Sequence, residues 1–389
     1  MEKEIFAAVD KLLPELWELA LYMQKNPELS YEEFKAHKKI VTYLKNKGFE
    51  CKESVGELNT AFIAKPKKVN SGPTVGFIAE YDALPEIGHA CGHHLISTSA
   101  IGAAIVLDEI LPKMKGNVAI IGTPAEESPL PPAKQTMIDN GAFENIDFSL
   151  MMHPGDRTAV GWNTLAINAV EFDFKGRATH AAMFPHEGRS ALDAAIITMT
   201  SIEFLREHVR QDVRIHGIIK DGGTRANIVP ENAKLQYHIR ALDVNYLNEI
   251  EERFFNCARA GALATDTKLT INVLGRVANK QLSPIVDDLL LESAIKAGAV
   301  DVMEPEPEMG STDYGNVTQI MPAGTLRAHF VPLKTPGHTR EWAEAADKPP
   351  AKKCLQVSAK AMALTAYNLI MNKELLEKAK EDHKNEKMN

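Results

Sequence analysis

A dense group of side chains able to bind metal lies in the first quarter of the sequence, at Gly88-His89-Ala90-Cys91-Gly92-His93-His94. Imidazole and thiol groups are the ligands that borderline divalent ions such as Zn²⁺ prefer. Cys91 and His93 are two residues apart, so in an extended segment or open turn both point the same way and can reach one ion or an adjacent pair. The stretch therefore predicts half of a metal site. A buried, hydrogen-bonded histidine cluster in a glycine-rich turn is the alternative interpretation.

Two adjacent carboxylates, Glu126 and Glu127, follow a predicted strand and Pro124. Neighbouring residues point to opposite sides, so one carboxylate can bind metal while the other faces a water as general base. Nearby metal lowers the pKa of water towards neutrality, which makes hydroxide available at pH 7. Taken alone, such a pair is more often an ordinary pair of surface acids. His153 and His338 are further candidates, although a core histidine and a loop surface residue are their alternative interpretations.

Short apolar runs predict the buried strands that position these side chains, at residues 74–79, 117–122 and 148–154. Asp82 and the His/Cys stretch follow the first run, and Glu126-Glu127 follow the second. The third run carries His153 close to its end. Because an open α/β sheet places its site at the carboxyl ends of its strands, we expect these residues to meet at one edge of a mostly parallel sheet.

Helical patterns surround the predicted strands. Apolar spacing predicts an amphipathic helix over 2–24, and Ser30 with Glu33 three residues on has the pattern of a capping box that starts a second helix. Further helices are predicted over 95–111, 283–299 and 350–371. The charged tail, 374–389, is interpreted as a solvated or frayed helix.

The pattern changes after residue 168. Strands are predicted over 169–174, 213–219, 233–242 and 268–274, with helices over 190–209 and 245–264. This βαββαβ order is typical of the split-βαβ, or ferredoxin-like, module. We therefore predict an α/β protein with a catalytic domain in two parts, 1–167 and 281–389, and an inserted lid domain, 168–280.

The bulk composition limits the classes of protein and partner. A chain of 389 residues favours two domains, and a net charge of −8 gives no electrostatic case for nucleic acid or an anionic membrane as a partner. The cysteines show no paired spacing and so predict no disulfide framework; they are Cys51, Cys91, Cys257 and Cys354. The acidic N-terminus lacks the basic and apolar regions of a signal peptide, so we expect a cytoplasmic protein without a membrane span.

The order of these motifs resembles a known family. The motifs are His89-Ala90-Cys91-Gly92-His93, Pro124-Ala125-Glu126-Glu127, Met152-His153-Pro154 and His338-Thr339. Together they resemble the dinuclear metal amidohydrolases of the aminoacylase and carboxypeptidase superfamily, in the branch of indole-acetyl-amino-acid hydrolases, hippurate hydrolases and p-aminobenzoyl-glutamate hydrolase subunits. Tyr81-Asp82-Ala83-Leu84-Pro85 and the 310–317 loop are most similar to the subgroup that includes β-alanyl-lysine-type dipeptidases.

The resemblance implies a role for each candidate residue near the metals. Its two divalent ions, Zn or Mn, would be bound by Cys91, His93, Glu127, His153 and His338. Glu126 would be the general base, and Asp82 the acid that orients a metal ligand. His94 stands where relatives usually have Asp or Asn, and His89 and His94 are interpreted as structural or supporting residues.

The resemblance also assigns roles in the inserted domain. His180, in the frame Gly176-Arg177-Ala178-Thr179-His180-Ala181, would stabilise the oxyanion. Asn227 and Arg240 would hold the carbonyl or carboxylate of the substrate. In many relatives this domain makes the contact of a homodimer, so His180 would act either within its own chain or across subunits.

The predicted function is hydrolysis of the amide bond of an N-acyl amino acid or a dipeptide. Aryl-acyl, dipeptide and aminobenzoyl substrates remain open, because pocket shape decides among them. One alternative is a metal-binding homologue without turnover, or a subunit that needs a partner chain. Another is a thiol mechanism in which Cys91 itself is the nucleophile.

Overall fold

The apolar runs that precede the polar clusters form strands in the computed structural model, which describes residues 1–111, 115–128, 131–307 and 309–386. The chain divides into two compact units. The first comprises Met1–Asn163, Lys280–Met309 and Asn316–Asn389, and the second comprises Thr164–Asn279 and Gly310–Gly315. The second unit is therefore inserted in the sequence of the first.

The elements follow one another in a mixed α/β order. The strands are β1 (Phe49–Glu53), β2 (Phe62–Pro66), β3 (Thr74–Glu80), β4 (Asn117–Thr123), β5 (Phe148–Gly155), β6 (Ala166–Lys175), β7 (Arg214–Asp221), β8 (Asn232–Ala241), β9 (Lys268–Val277) and β10 (Ala323–His329). The helices are α1 (Glu2–Lys25), α2 (Phe34–Asn46), α3 (His93–Ile110), α4 (Ala133–Asp139), α5 (Ala191–Arg206), α6 (Val244–Thr265), α7 (Pro284–Lys296), α8 (Tyr314–Thr318), α9 (Arg340–Ala345), α10 (Pro349–Met371) and α11 (Lys373–Glu386).

The sheet of the first unit has the strand order β1-β2-β4-β3-β5-β10. Its four strands β4, β3, β5 and β10 are parallel, and β1 and β2 add an antiparallel edge. Phe77 at the middle of β3 is in register with Ile120 of β4 and Leu150 of β5. Parallel pairing in this register brings the carboxyl ends of the central strands to the same edge, where the polar clusters follow.

Helix α3 covers the central strands. It contacts β3, β4 and β5, and α1 and α10 pack on it in turn. The residues from His93 to Leu107 are all buried, because α3 lies between the sheet and these outer helices. Gly102 fits this packing closely, since a Cβ there would lie 2.5 Å from Leu16.

The second unit is a four-stranded antiparallel sheet, in the order β7-β8-β6-β9, covered by α5 and α6. The alternation along β8 places Leu235, Tyr237 and Ile239 in the core against the helices. Together with the parallel sheet of the first unit, this βαββαβ unit confirms the predicted fold class.

Aromatic packing is expected to stabilise the second unit. Phe254 is fully buried, and its ring centroid lies 5.2 Å from that of Phe172 and 5.6 Å from that of Tyr237. We expect Phe254→Ala to lower the free energy of unfolding of this unit by about 3–5 kcal/mol, because it removes buried area and leaves a cavity. Urea unfolding measures the change. Phe204→Ala on α5 is the control: that ring is 70% exposed, so an equal loss would contradict the packing explanation.

One local prediction was wrong and another was right only in part. Ser30 and Glu33 do not form a capping box: α2 begins at Phe34 with Glu33 as its N-cap, and the Glu33 side chain makes no capping hydrogen bond. The Ser30 hydroxyl instead donates to Asp82 Oδ2, 2.9 Å away. The tail is helical as predicted as far as Glu386, and residues 387–389 lie outside the described residues. Helix α11 is not merely solvated, since Leu376 and Ala379 are buried and the helix contacts α7 and α10.

No helix in the four described segments combines the length and the apolar character that crossing a membrane requires.

Candidate functional site

Ends of neighbouring strands bring the predicted site residues of the first unit together. Asp82 follows β3, Glu126 and Glu127 follow β4, and His153 lies near the end of β5. His93 is the first residue of α3, after Gly92 in a left-handed conformation. Gly92 is required there, because a Cβ would lie 2.8 Å from the ring of Pro154 in addition to the strain of its positive φ.

The candidate ligand atoms converge, and the distances between imidazole and carboxylate are too long for good hydrogen bonds. His93 Nε2 lies 3.6 Å from Glu127 Oε1, which in turn lies 3.5 Å from His338 Nε2. Cys91 Sγ lies 3.3 Å from His153 Nε2. The ligand atoms lie within 4.8 Å of one another in each of three groups, namely Cys91, His93 and His153; Cys91, Glu127 and His338; and His93, Glu126 and Glu127.

Hydrogen bonds on the far side of each imidazole fix which nitrogen faces this cluster. Nδ1 of His93 lies 2.8 Å from Asp82 Oδ1, and Nδ1 of His153 lies 2.8 Å from the carbonyl oxygen of Pro154. Both partners are acceptors, so both Nδ1 atoms carry the proton and donate. The Nε2 lone pairs therefore point into the cluster, which is the arrangement that metal-binding histidines commonly have.

The residues fit a divalent ion. Among the described residues, His93 Nε2 and Glu127 Oε1 are buried and have no hydrogen-bond partner. Buried polar atoms of this kind cost free energy unless something satisfies them. Thiolate, imidazole and carboxylate together are a donor set that Zn²⁺ accepts well, and a cation between them would satisfy both atoms.

Asp82 links several parts of this cluster. It is buried, and its Oδ2 accepts hydrogen bonds from the backbone N–H of Glu127 and the hydroxyl of Ser30, each at 2.9 Å. Burial acts to raise the pKa of Asp82, but His93 and these hydrogen bonds outweigh it and lower the pKa to about 2. Asp82 is therefore ionised at neutral pH and can hold His93 in one orientation.

Three other ionisable groups of the cluster have pKa values shifted towards their neutral forms. Burial and then Glu127 raise the pKa of the Cys91 thiol, and burial and then Glu80 raise that of Glu126. Burial and then Arg327 lower the pKa of His153 to about 4. The Cys91 thiol and the Glu126 carboxyl group hold their protons unless a cation shares their charge, so proton release is expected to accompany metal binding.

The loop that carries His338 is tied to the His/Cys stretch. The backbone N–H of His338 donates to the carbonyl oxygen of Ala90 at 3.1 Å, although the side chain is 55% exposed. His89 and His94 are both buried, and His94 Nε2 donates to the carbonyl oxygen of Ala346. Neither belongs to a compact group of ligand atoms in the part of the chain that is described, so a structural role fits them.

The second unit contains the remaining predicted residues. His180 and Asn227 are exposed on adjacent segments, where His180 bridges with Ile228 and the N–H of Ala181 donates to the Asn227 carbonyl. Nδ1 of His180 accepts from the N–H groups of residues 182 and 183, at 3.3 Å each, which leaves Nε2 as the donor. Arg240 lies in β8 and donates to Ser311 Oγ at 2.8 Å.

Sequence reasoning missed an ion pair beside the cluster. Glu80 ends β3 and lies 2.9 Å from Lys134 Nζ, and both side chains are buried. Glu80 Oε2 is also 3.8 Å from His93 Nε2. An acid at the end of an otherwise apolar strand was the available signal for Glu80, whereas nothing local distinguishes Lys134.

Comparison with known proteins identifies relatives of this chain. Residues 76–365 match the family described as Peptidase family M20/M25/M40. The chain is 34% identical to the Xaa-Arg dipeptidase of Mus musculus, over 97% of this chain and 90% of that protein. It is 28% identical to a subunit of the p-aminobenzoyl-glutamate hydrolase of Escherichia coli (strain K12), over 92% and 89% respectively.

Solved structures share the fold. A putative aminohydrolase from methicillin resistant Staphylococcus aureus has a TM-score of 0.81 at 20% identity, covering 95% of this chain and 100% of that one. A Bacillus subtilis protein described as a dinuclear metal binding peptidase from the M20 family has a TM-score of 0.66 at 20% identity, covering 92% and 99%. The predicted resemblance and the predicted class of enzyme are thus confirmed: the chain belongs to peptidase family M20/M25/M40 and is a metallo-hydrolase that acts on amide or peptide bonds.

Proposed function

We propose that this protein hydrolyses the amide bond of a dipeptide or N-acyl amino acid, with two divalent ions bound by Cys91, His93, Glu127, His153 and His338. The observation that carries the proposal is the convergence of ligand atoms from these residues, with Glu126 in the same cluster. Ions held there would polarise the scissile carbonyl and lower the pKa of the attacking water. The thiolate ligand favours zinc, and manganese is the other candidate.

Glu126 is the proposed general base. Its carboxylate is only 12% exposed and Oε2 lies 3.7 Å from His93 Nε2, so it borders the ligand cluster. It accepts a proton from the attacking water and passes it to the leaving amine, which is the usual course of general acid–base catalysis at an amide. Burial and then Glu80 raise its pKa, which makes Glu126 a stronger base than an exposed glutamate. Asp82 keeps His93 oriented through the 2.8 Å contact with Nδ1.

Three residues of the second unit are proposed to bind the substrate and stabilise its oxyanion. His180 donates a hydrogen bond to the developing oxyanion, and Asn227 and Arg240 hold the carbonyl or carboxylate of the substrate. These roles rest on the motif resemblance, with the Nε2 donor of His180 as support. We further propose that the second unit is a lid and makes the contact of a homodimer.

A dipeptide is the preferred substrate within this class. The support is the 34% identity to a mouse protein named as an Xaa-Arg dipeptidase, which exceeds the identity to the aminobenzoyl-glutamate hydrolase protein. Both relatives are covered over most of their length, so the preference does not depend on one shared segment.

A substrate screen tests this function. The protein is stripped with a chelator, reloaded with Zn²⁺ or Mn²⁺, and assayed on dipeptides ending in Arg or Lys, on β-alanyl dipeptides, and on acetyl, benzoyl and aminobenzoyl amino acids. We expect hydrolysis only after reloading, with about two ions bound per chain and turnover on the order of 1–10³ s⁻¹ for the best substrate. Two ions per chain without hydrolysis of any of these compounds would instead support a metal-binding homologue or a subunit that needs a partner.

A further inference from the structure

The Glu33 carboxylate is buried in the first unit and reaches a segment far from it in sequence. It is fully buried, and its Oε1 accepts hydrogen bonds from the backbone N–H groups of Ala125 at 2.9 Å and Tyr31 at 2.8 Å. Its Oε2 accepts from the hydroxyl of Thr60 at 2.7 Å. We propose that Glu33 is a positioning residue that holds the turn before Glu126 and Glu127, an inference that rests on the proposed function of those two carboxylates.

The turn needs such support. Ala125 has a φ of 59°, a left-handed conformation that residues with a Cβ rarely adopt, and it is fully buried. It connects the end of β4 to Glu126 without belonging to either a strand or a helix. A strained conformation at this point persists only when its surroundings determine it, and the bond to Glu33 is one such restraint.

Glu126 is held from both sides in the same manner. The N–H of the residue before it donates to Glu33, and the N–H of the residue after it donates to Asp82 Oδ2 at 2.9 Å. Both acceptors are buried carboxylates. The directions of the Glu126 and Glu127 side chains are therefore set by two backbone hydrogen bonds, one on each side of the base.

One short segment supplies support to both restraints. Ser30 donates to Asp82 at 2.9 Å, and Glu33, three residues later, accepts from Ala125. Glu33 makes no side-chain hydrogen bond that caps its own helix α2. Capping of α2 therefore does not explain why a carboxylate is buried here at considerable desolvation cost, whereas holding the turn does.

Length and charge of this side chain can be separated by substitution. Glu33→Gln keeps the length and one acceptor oxygen for both backbone N–H groups, and its new N–H₂ can donate to the Thr60 hydroxyl. Glu33→Asp keeps the charge but shortens the side chain, so it no longer reaches Ala125. Thr60→Val is the matched control, because it removes a hydrogen bond of Glu33 without affecting the turn.

The experiment measures kcat, KM and amide hydrogen exchange of the peptide containing Ala125, on the metal-loaded protein. We expect Glu33→Asp to lower kcat about 10- to 100-fold with KM nearly unchanged, since a small misplacement of a catalytic group costs this much. The same variant should lose exchange protection at Ala125. Glu33→Gln and Thr60→Val should keep both protection and kcat within about threefold of the parent protein, a range that corresponds to well under one ångström of misplacement.

Other results would overturn the proposal. Parental kcat and protection in a folded Glu33→Asp would show that Glu33 does not hold the turn. Loss of both in Thr60→Val would contradict the proposal that the hydrogen bond between Glu33 and Ala125 is the specific restraint. Loss of activity in Glu33→Gln with full activity in Glu33→Asp would assign a role to its charge instead. If Glu33→Asp does not fold, Glu33→Met removes the acceptors at equal length and takes its place. Should the parent hydrolyse no amide, the proposed function fails, and the exchange measurement still decides whether Glu33 restrains Ala125.

Discussion

Replacing Glu126 with Gln is expected to lower kcat by about 10²–10⁴-fold, because an amide of the same shape cannot accept the proton of the attacking water. Metal content should stay at about two ions per chain, since the proposed ligand set retains all of its members. Glu126 lies close to the proposed ligands. It belongs to only one of the three groups of candidate ligand atoms described above, the group that also contains His93 and Glu127. Inductively coupled plasma analysis and steady-state kinetics on the best substrate measure the two quantities.

The neighbouring carboxylate provides a matched control for that experiment. Glu127 Oε1 lies within 3.6 Å of both His93 Nε2 and His338 Nε2, so Glu127→Gln should reduce metal content as well as turnover. The two variants differ by one position and carry the same chemical change. Full activity in Glu126→Gln would refute its role as base, and metal loss in that variant equal to that in Glu127→Gln would make it a ligand instead.

The location of the site could be predicted from the sequence because strand ends are recognisable. The apolar runs before Asp82 and Glu126 correspond to β3 and β4, and His153 lies in β5. Parallel pairing of these strands then follows from the α/β pattern and brings their carboxyl ends together. The His93 and Glu127 side chains meet at 3.6 Å for this reason, although 33 residues separate them in the sequence.

The role of Glu33 could not be predicted in the same way. Ser30 and Glu33 have the spacing of a capping box, which is a purely local pattern. In the folded chain Ser30 donates to Asp82, and Glu33 accepts from Thr60 and Ala125 as well as from the nearby N–H of Tyr31. Asp82, Thr60 and Ala125 are all distant in sequence from this segment. Long-range hydrogen bonds leave no periodic signal, so local patterns favour the wrong partner whenever a tertiary contact competes with them.

Strand β10 was missed for a related reason. The run that forms β10, Ala323–His329, carries Arg327 and ends in His329, and so lacks the continuous apolar character of β3 and β4. It becomes a strand because it pairs with β5 over its whole length, from Ala323 opposite Ser149 to His329 opposite Gly155. Such pairing depends on tertiary context more than on intrinsic propensity.

Cys91 offers the sharpest distinction between a metal ligand and a thiol nucleophile. Its sulfur is a member of two groups of candidate ligand atoms, one with His93 and His153 and the other with Glu127 and His338. Removing it with Cys91→Ala should therefore weaken binding at both positions. We expect metal content to fall to one ion per chain or fewer and kcat to fall at least about 100-fold. Mutating a residue that merely supports a metal ligand already costs about 10- to 100-fold in metal affinity or activity, so loss of the ligand itself should cost at least as much.

Cys91→Asp separates the two mechanisms, because a carboxylate can bind the same ions but cannot replace a sulfur nucleophile. If Cys91 is a ligand, this variant should retain about two ions and a measurable fraction of the parental kcat, with turnover still dependent on added metal. Cys354→Ala is the control, since that buried thiol contacts the carbonyl of Ala328 and belongs to no candidate ligand group among the residues described. Full metal content together with complete inactivity in both Cys91 variants would contradict the ligand role. It would favour a nucleophilic role, because the sulfur would then be needed for turnover although both ions are bound.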